Sequence, residues 1–172
     1  PSQRHTLGCG RTARAARWRG DGPERQHRCG GHALHRRHGS LCAAQAANLG
    51  LQAMAVTDRD GLYSTPRFHA AARTHGMRPI VGAELTMEDG SVLPVLVETR
   101  AGYRNLCQLI TRAKLRGTKS DAPVHWSELE SFSQGLVALT GDEEGPIRRA
   151  LATGNTELAQ KRTQQLLRAF GA

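Results

Sequence analysis

Between Ala55 and Glu84 the chain reads AVTDRDGLYSTPRFHAAARTHGMRPIVGAE. A short apolar run ends in Thr57-Asp58-Arg59-Asp60-Gly61. An amphipathic segment follows Pro66, and a second apolar run ends in Gly82-Ala83-Glu84. Two short β-like runs around a helix form the β-α-β grammar of an α/β barrel or a doubly wound sheet, whose chemistry gathers at the carboxyl ends of strands. Asp58 and Glu84 are therefore expected on one rim.

The rest of the sequence continues the alternation. Leu41 to Leu49 is Ala-rich and helical, with Asn48 and Gly50 as stop signals. Gln52 to Thr57 reads as a buried strand. Pro66 opens a helix that Gly76 closes, and Pro79 to Val81 is the next strand. Glu84–Met87 and Ser91–Val97 flank Glu88-Asp89-Gly90, a hairpin signal, and Pro94 suggests an edge position. Tyr103, Leu106, Cys107, Ile110 and Leu115 give Ala101–Leu115 an apolar helical stripe. Ser127–Glu130 is a short helix, and Gly135–Thr140 a further buried strand. Pro146–Ala152 and Thr156–Phe170 are the last two helices. The order predicts an α/β fold with a largely parallel sheet.

A formal charge of +9 over 172 residues suggests a nucleic-acid binder, but its distribution argues otherwise. Residues 1–42 hold nine Arg, no Lys, and only Asp21 and Glu24 as acids. The remainder holds fifteen basic and thirteen acidic side chains, a near-neutral globular balance. The leader has no Val, Ile, Met, Phe or Tyr. It cannot bury enough surface to offset chain entropy, so it is expected to be disordered. It lacks the apolar core of a secretory signal, and no run is long enough to cross a membrane. Cys9, Cys29, Cys42 and Cys107 have no paired spacing, so a disulfide framework is not expected and a cytoplasmic setting is the default.

From Ala43 onward the sequence resembles the PHP (polymerase and histidinol phosphatase) domain at the front of bacterial C-family DNA polymerases, in particular the error-prone branch related to the polymerase III alpha subunit. The resemblance rests on four blocks in order: AVTDRDGLYSTPRFHAAAR (55–73), RPIVGAELTMEDGSVLPVLVE (78–98), GYRNLCQLITRAKLR (102–116) and GLVALTGDEEGP (135–146). It implies a PHP-type (β/α)7 barrel, here expected to be partial and incomplete at both ends, with residues 43–172 as the partial domain. It also implies DNA, deoxynucleotides and other replication or damage-tolerance proteins as partners of the full-length enzyme. The chain is too short to hold the polymerase carboxylates, so polymerisation is not expected of it. The likeness stops near Leu41-Cys42. An Arg-rich, Lys-free leader is what a shifted reading frame in GC-rich DNA produces, and residues 1–42 are read as such a product.

The resemblance also implies a metal centre. A PHP site gathers His nitrogens and carboxylates around divalent ions that activate water and polarise a phosphate. Glu84 matches the family's bridging carboxylate. Asp58 matches the Asp of its Thr-Asp-His motif, but Arg59 replaces the His, and Arg stays protonated and cannot ligate. The family's His-x-His pair is missing. Glu84 and Asp58 are thus the metal candidates of a degenerate site. No cofactor is expected for this chain, while zinc, manganese or magnesium belongs to intact relatives.

Other groups have plainer readings. His69 and His75 are expected to be exposed on a helix, and His125 to be structural. His27, Cys29, His32, His35 and His38 are too crowded for a structural zinc site. Arg112, Lys114, Arg116 and Lys119 sit at a helix end, where cations are favoured in any case. The acidic Gly141–Gly145 loop would repel phosphate. Three functions remain in view: a PHP segment of an error-prone DNA polymerase, a PHP-type metal-dependent phosphoesterase or nuclease, and a small basic nucleic-acid-binding protein.

Overall fold

Helix α1 (His35–Asn48) leads into strand β1 (Ala53–Arg59), helix α2 (Thr65–Thr74) and strand β2 (Arg78–Thr86). This is the β-α-β unit expected from the sequence, and β1 pairs with β2 in parallel. The structure is a computed structural model that describes residues 35–118 and 122–171. Most of the Arg-rich leader, including His27, Cys29 and His32, lies outside the described residues, as do the side chains of His35 and His38 and all of Lys119. Helix α1 begins at His35, ahead of the expected start near Leu41.

A tight turn joins β2 to β3 (Val92–Val97), and the two strands form an antiparallel hairpin. Asp89 closes the turn by accepting the Ser91 N–H at 3.0 Å. Helix α3 (Arg100–Arg116), a 3-10 turn (Trp126–Glu128) and helix α4 (Leu129–Phe132) then lead to β4 (Leu136–Ala138). Helices α5 (Pro146–Ala152) and α6 (Thr156–Phe170) follow. The sheet order is β1-β2-β3-β4. Strand β4 is antiparallel to β3, so β1, β2 and β4 run one way and β3 alone runs against them. The expectation of a largely parallel sheet holds for strand direction. It fails for pairing, because the hairpin inserts β3 between β2 and β4.

Among the described residues the sheet is open, with β1 and β4 at its edges, so a closed sevenfold barrel is not what these four strands form. An edge position explains why β1 is half-buried rather than buried. It likewise explains why Val137 of β4 is 43% exposed. Pro94 is not on an edge strand as expected, since β3 has a neighbour on each side. Its carbonyl accepts the Leu139 N–H at 2.9 Å. Its missing donor falls on that same side, opposite Leu139, where the named pairing with β4 has already ended.

One sheet face carries the core. Ala83, Leu85, Leu93 and Val95 alternate inward from β2 and β3 against Leu106, Leu109 and Ala113 of α3, with Trp126, Leu129 and Leu136 completing the cluster. The buried stripe of α3 is Gly102, Leu106, Leu109 and Ala113. The expected members Tyr103 and Leu115 are exposed instead. Gly102 sits in the stripe because α3 passes over the backbone of Gly135, and a Cβ there would collide with the Gly135 carbonyl oxygen. A second cluster packs the small residues Ala43 and Ala46 of α1 against Phe68, Ala72 and Met77.

Helix ends follow their capping signals. Thr99 Oγ1 accepts the Gly102 N–H at 3.1 Å, and Asn155 Oδ1 accepts the Leu158 N–H at 2.9 Å, each satisfying a donor the helix itself leaves unpaired. Arg162 of α6 lies 4.2 Å over the Trp126 ring and reaches Asp89 at 2.6 Å, which fastens the last helix to the hairpin turn.

Candidate functional site

The carboxyl ends of β1, β2 and β4 share one rim, where β3 begins at Val92. Parallel pairing sets Asp58 opposite Ala83 and Arg59 opposite Glu84. Side chains alternate faces along a strand. Asp58 therefore lies on the core face with Ala83, and Glu84 on the other face with Arg59 and Thr57. The two sequence candidates do share a rim, as expected, but the sheet separates them.

Each is held by its own partners. Asp58 is buried, and its carboxylate accepts both the N–H and the hydroxyl of Ser64, at 2.7 Å and 2.9 Å. That pair shapes the turn from β1 into α2. Glu84 accepts from Thr57 Oγ1 at 3.2 Å and from Arg59 Nε at 3.3 Å. Arg59 belongs to β1, past the strand end expected at Thr57, and this gives its side chain a fixed face.

Two acids that the sequence did not single out complete the rim. Asp60 stands in the left-handed region at φ 51°, a conformation Asp tolerates better than most residues. Its carboxylate takes the Thr86 N–H and hydroxyl, each at 2.7 Å. Glu144 comes from the loop after β4 and meets Arg59 Nη2 at 2.8 Å. The position of that loop, just past a strand whose carboxyl end faces the rim, was the available signal for Glu144.

Arg59, Glu84, Asp142 and Glu144 line an open cleft of about 370 Å³ together with the apolar Val92, Pro94 and Leu139, and Asp60 lies outside it. Burial works against the Arg59 charge. The hydrogen bond to Glu144 and the fields of Glu144, Glu84 and Asp60 outweigh it, and the guanidinium pKa lies above its ordinary value.

The donor set does not fit a catalytic metal cluster. Among the described residues no three His, Cys, Asp or Glu side chains converge. Asp58 faces away, and the Arg59 guanidinium engages Glu84 and Glu144. His69 and His75 are exposed on and just after α2. His125 is turned toward Glu88, Nδ1 to Oε2 at 2.9 Å, and begins the 3-10 turn.

Two members of the second basic cluster are exposed but paired. Arg112 and Arg116 meet Glu128 at 3.2 Å and 2.8 Å, and Arg116 donates to the Pro123 carbonyl at 2.7 Å. The Arg116 hydrogen bond is the main reason the Glu128 carboxyl lies below its usual range. The Gly141–Gly145 loop is closed by Asp142, which accepts the Glu144 N–H at 2.9 Å. Among the described residues no helix is long and apolar enough to cross a membrane. Cys42 and Cys107 are free thiols.

A family model described as "PHP domain" matches residues 39–172. The chain is 37% identical over 95 residues to error-prone DNA polymerase 1 of Agrobacterium fabrum, a match covering 55% of this chain and 9% of the relative. It is 42% identical over 95 residues to the error-prone DNA polymerase of Pseudomonas fluorescens, with the same coverage of each. It is 33% identical over 126 residues to the DNA polymerase III subunit alpha of Vibrio cholerae, covering 68% of this chain and 11% of that one. The chain thus spans about a tenth of the length of these relatives. A solved structure from Bifidobacterium adolescentis, assigned as a metal-dependent phosphoesterase, aligns with a TM-score of 0.35 and 19% identity over 78% of this chain and 50% of its own. That likeness is too loose to bear on chemistry.

Proposed function

The chain belongs to the PHP domain family, and on that premise we propose that it is the PHP segment of an error-prone C-family DNA polymerase, serving as a scaffold for the polymerase core. On this reading the longer protein adds deoxynucleotides to a primer on damaged template, in the cytoplasm, with DNA and other replication or damage-tolerance proteins as partners. The segment itself contributes no reacting group. Its four-stranded sheet would form part of a PHP-type barrel in the longer protein.

One observation carries the scaffold reading over the phosphoesterase reading. Glu84 is engaged by Arg59 and Thr57, while Asp58 lies across the sheet in the grip of Ser64. Phosphoester hydrolysis by metal-activated water needs converging, open ligands, and these residues supply neither.

The test uses the purified chain. It is expected to release no phosphate from p-nitrophenyl phosphate and to shorten no labelled primer with zinc, manganese or magnesium. It is expected to bind an error-prone DNA polymerase from which the PHP segment has been removed. Metal-dependent hydrolysis lost in Glu84→Gln would establish the phosphoesterase or nuclease reading instead. Strongly salt-dependent DNA binding by the chain alone, without polymerase binding, would favour the nucleic-acid-binding reading.

A further inference from the structure

We propose that Arg59 is the resident cation of the rim cleft: its guanidinium serves Glu84 and Glu144 in place of a divalent metal and ties the loop after β4 across to β1 and β2.

Strand parity gives Arg59 and Glu84 the same face and neighbouring positions. The Nε of Arg59 meets Glu84 at 3.3 Å and its Nη2 meets Glu144 at 2.8 Å. One side chain therefore bridges two carboxylates from separate parts of the fold. A planar guanidinium presents donors in several directions and never loses its charge, which suits it to this role better than Lys or His.

Charge balance points the same way. Among the described residues that line the cleft Arg59 is the sole basic one, against Glu84, Asp142 and Glu144. Without Arg59 the only charges on the described lining would be the three carboxylates, and like charges at a shared site attract a cation from solution. With Arg59 present, both carboxylates that face it are already engaged.

The loop is built to hold Glu144 in place. Gly141 turns at φ 79°, and Asp142 accepts the Glu144 N–H. The Glu144 carbonyl accepts the Val92 N–H at 2.9 Å. A Cβ at Gly145 would run into the Thr140 carbonyl. The backbone of Glu144 is thus fixed to β3 while its side chain is fixed to β1.

The proposal relies on the family reading only for the idea that a metal belongs at such a rim. Its test measures metal binding and loop opening rather than hydrolysis or polymerase binding, so the two readings fail separately. Manganese and zinc chloride are titrated into the full chain by calorimetry, and thermal unfolding is followed with and without each metal. Wild type and Arg59→Lys are expected to show no saturable binding and no shift in Tm. Arg59→Gln is expected to gain manganese binding and a metal-dependent rise in Tm, both lost in Arg59→Gln/Glu84→Gln. Should Arg59→Gln fail to fold, Glu144→Gln reads out the tether: hydrogen exchange across 139–146 is expected to quicken about fivefold, the scale of one exposed ion pair. Stoichiometric metal binding by wild type that Glu84→Gln abolishes would overturn the proposal. So would an Arg59→Gln variant indifferent to metal, or a Glu144→Gln variant whose loop exchanges at the wild-type rate.

Discussion

Ser64 meets both oxygens of the Asp58 carboxylate, its hydroxyl lying 2.9 Å from each and its N–H 2.7 Å from Oδ2. The contact is buried and spans only the turn between β1 and α2. Asp58→Ala leaves the Ser64 donors without a partner, and a buried donor left unmade costs about 1–3 kcal/mol. Asp58→Ala and Ser64→Ala are each expected to lower unfolding stability in urea by about that amount. The double variant should fall well short of the sum, since one contact is lost in both. Strict additivity would mean that the two residues do not act together.

Gly102→Ala should be among the most damaging single-methyl additions in the chain. The new Cβ meets the Gly135 carbonyl, and Gly135 cannot retreat easily because it turns at φ 75° and packs on Thr99. Its carbonyl also accepts the Glu98 N–H at 3.0 Å. Overpacking of this kind costs about 1–3 kcal/mol. A fall of several degrees in Tm is expected, and an unchanged Tm would show that α3 can lift off β4 without penalty.

Asp89 gives the fold an acid-sensitive point. Burial pushes its carboxyl pKa up, but hydrogen bonds from Ser91, the charge of Arg162 and the Trp126 N–H together bring it below the ordinary value. A depressed folded pKa adds stability that is fully present above the unfolded carboxyl pKa of about 4. That stability disappears as pH falls through the folded value. Wild type should therefore exceed Asp89→Asn in Tm at neutral pH, with the gap closing below about pH 4. A gap that persists at acid pH would assign the difference to packing rather than charge.

Val137 and Leu139 are 43% and 44% exposed on the edge strand β4 and just beyond it. Exposed apolar residues on a sheet edge invite pairing between chains, and a Lys there opposes it. The purified chain is expected to self-associate in sedimentation velocity, and Val137→Lys to reduce that association without lowering Tm. Association unaffected by the substitution would place the sticky surface elsewhere.

Much of the element order was legible in residues that set their own local geometry. Pro146 fixes the start of α5 and Asn155 the cap of α6, and both helices have the expected bounds. The Glu88-Asp89-Gly90 turn likewise announced the hairpin. Side-chain direction was harder to read. Tyr103 and Leu115 fit a helical stripe as well as Leu109 and Ala113 do, and only the position of the sheet decides between them. Asp58 and Glu84 both stand near strand ends, yet their faces depend on the register of β1 against β2. That register is set by packing along both strands rather than by either residue. The pairing of Arg59 with Glu144 was out of reach for a similar reason, because it depends on where β4 delivers its loop.

Strand β3 reverses direction within a few residues of leaving β2. Its contacts with β2 are therefore close in sequence, whereas those of β4 with β3 must wait for the whole of α3 to be positioned. Local hairpins close in about 1–10 microseconds, and long-range pairings carry a larger entropic barrier. The β2–β3 hairpin is thus expected to form early, with β1 and β4 added to it from opposite sides.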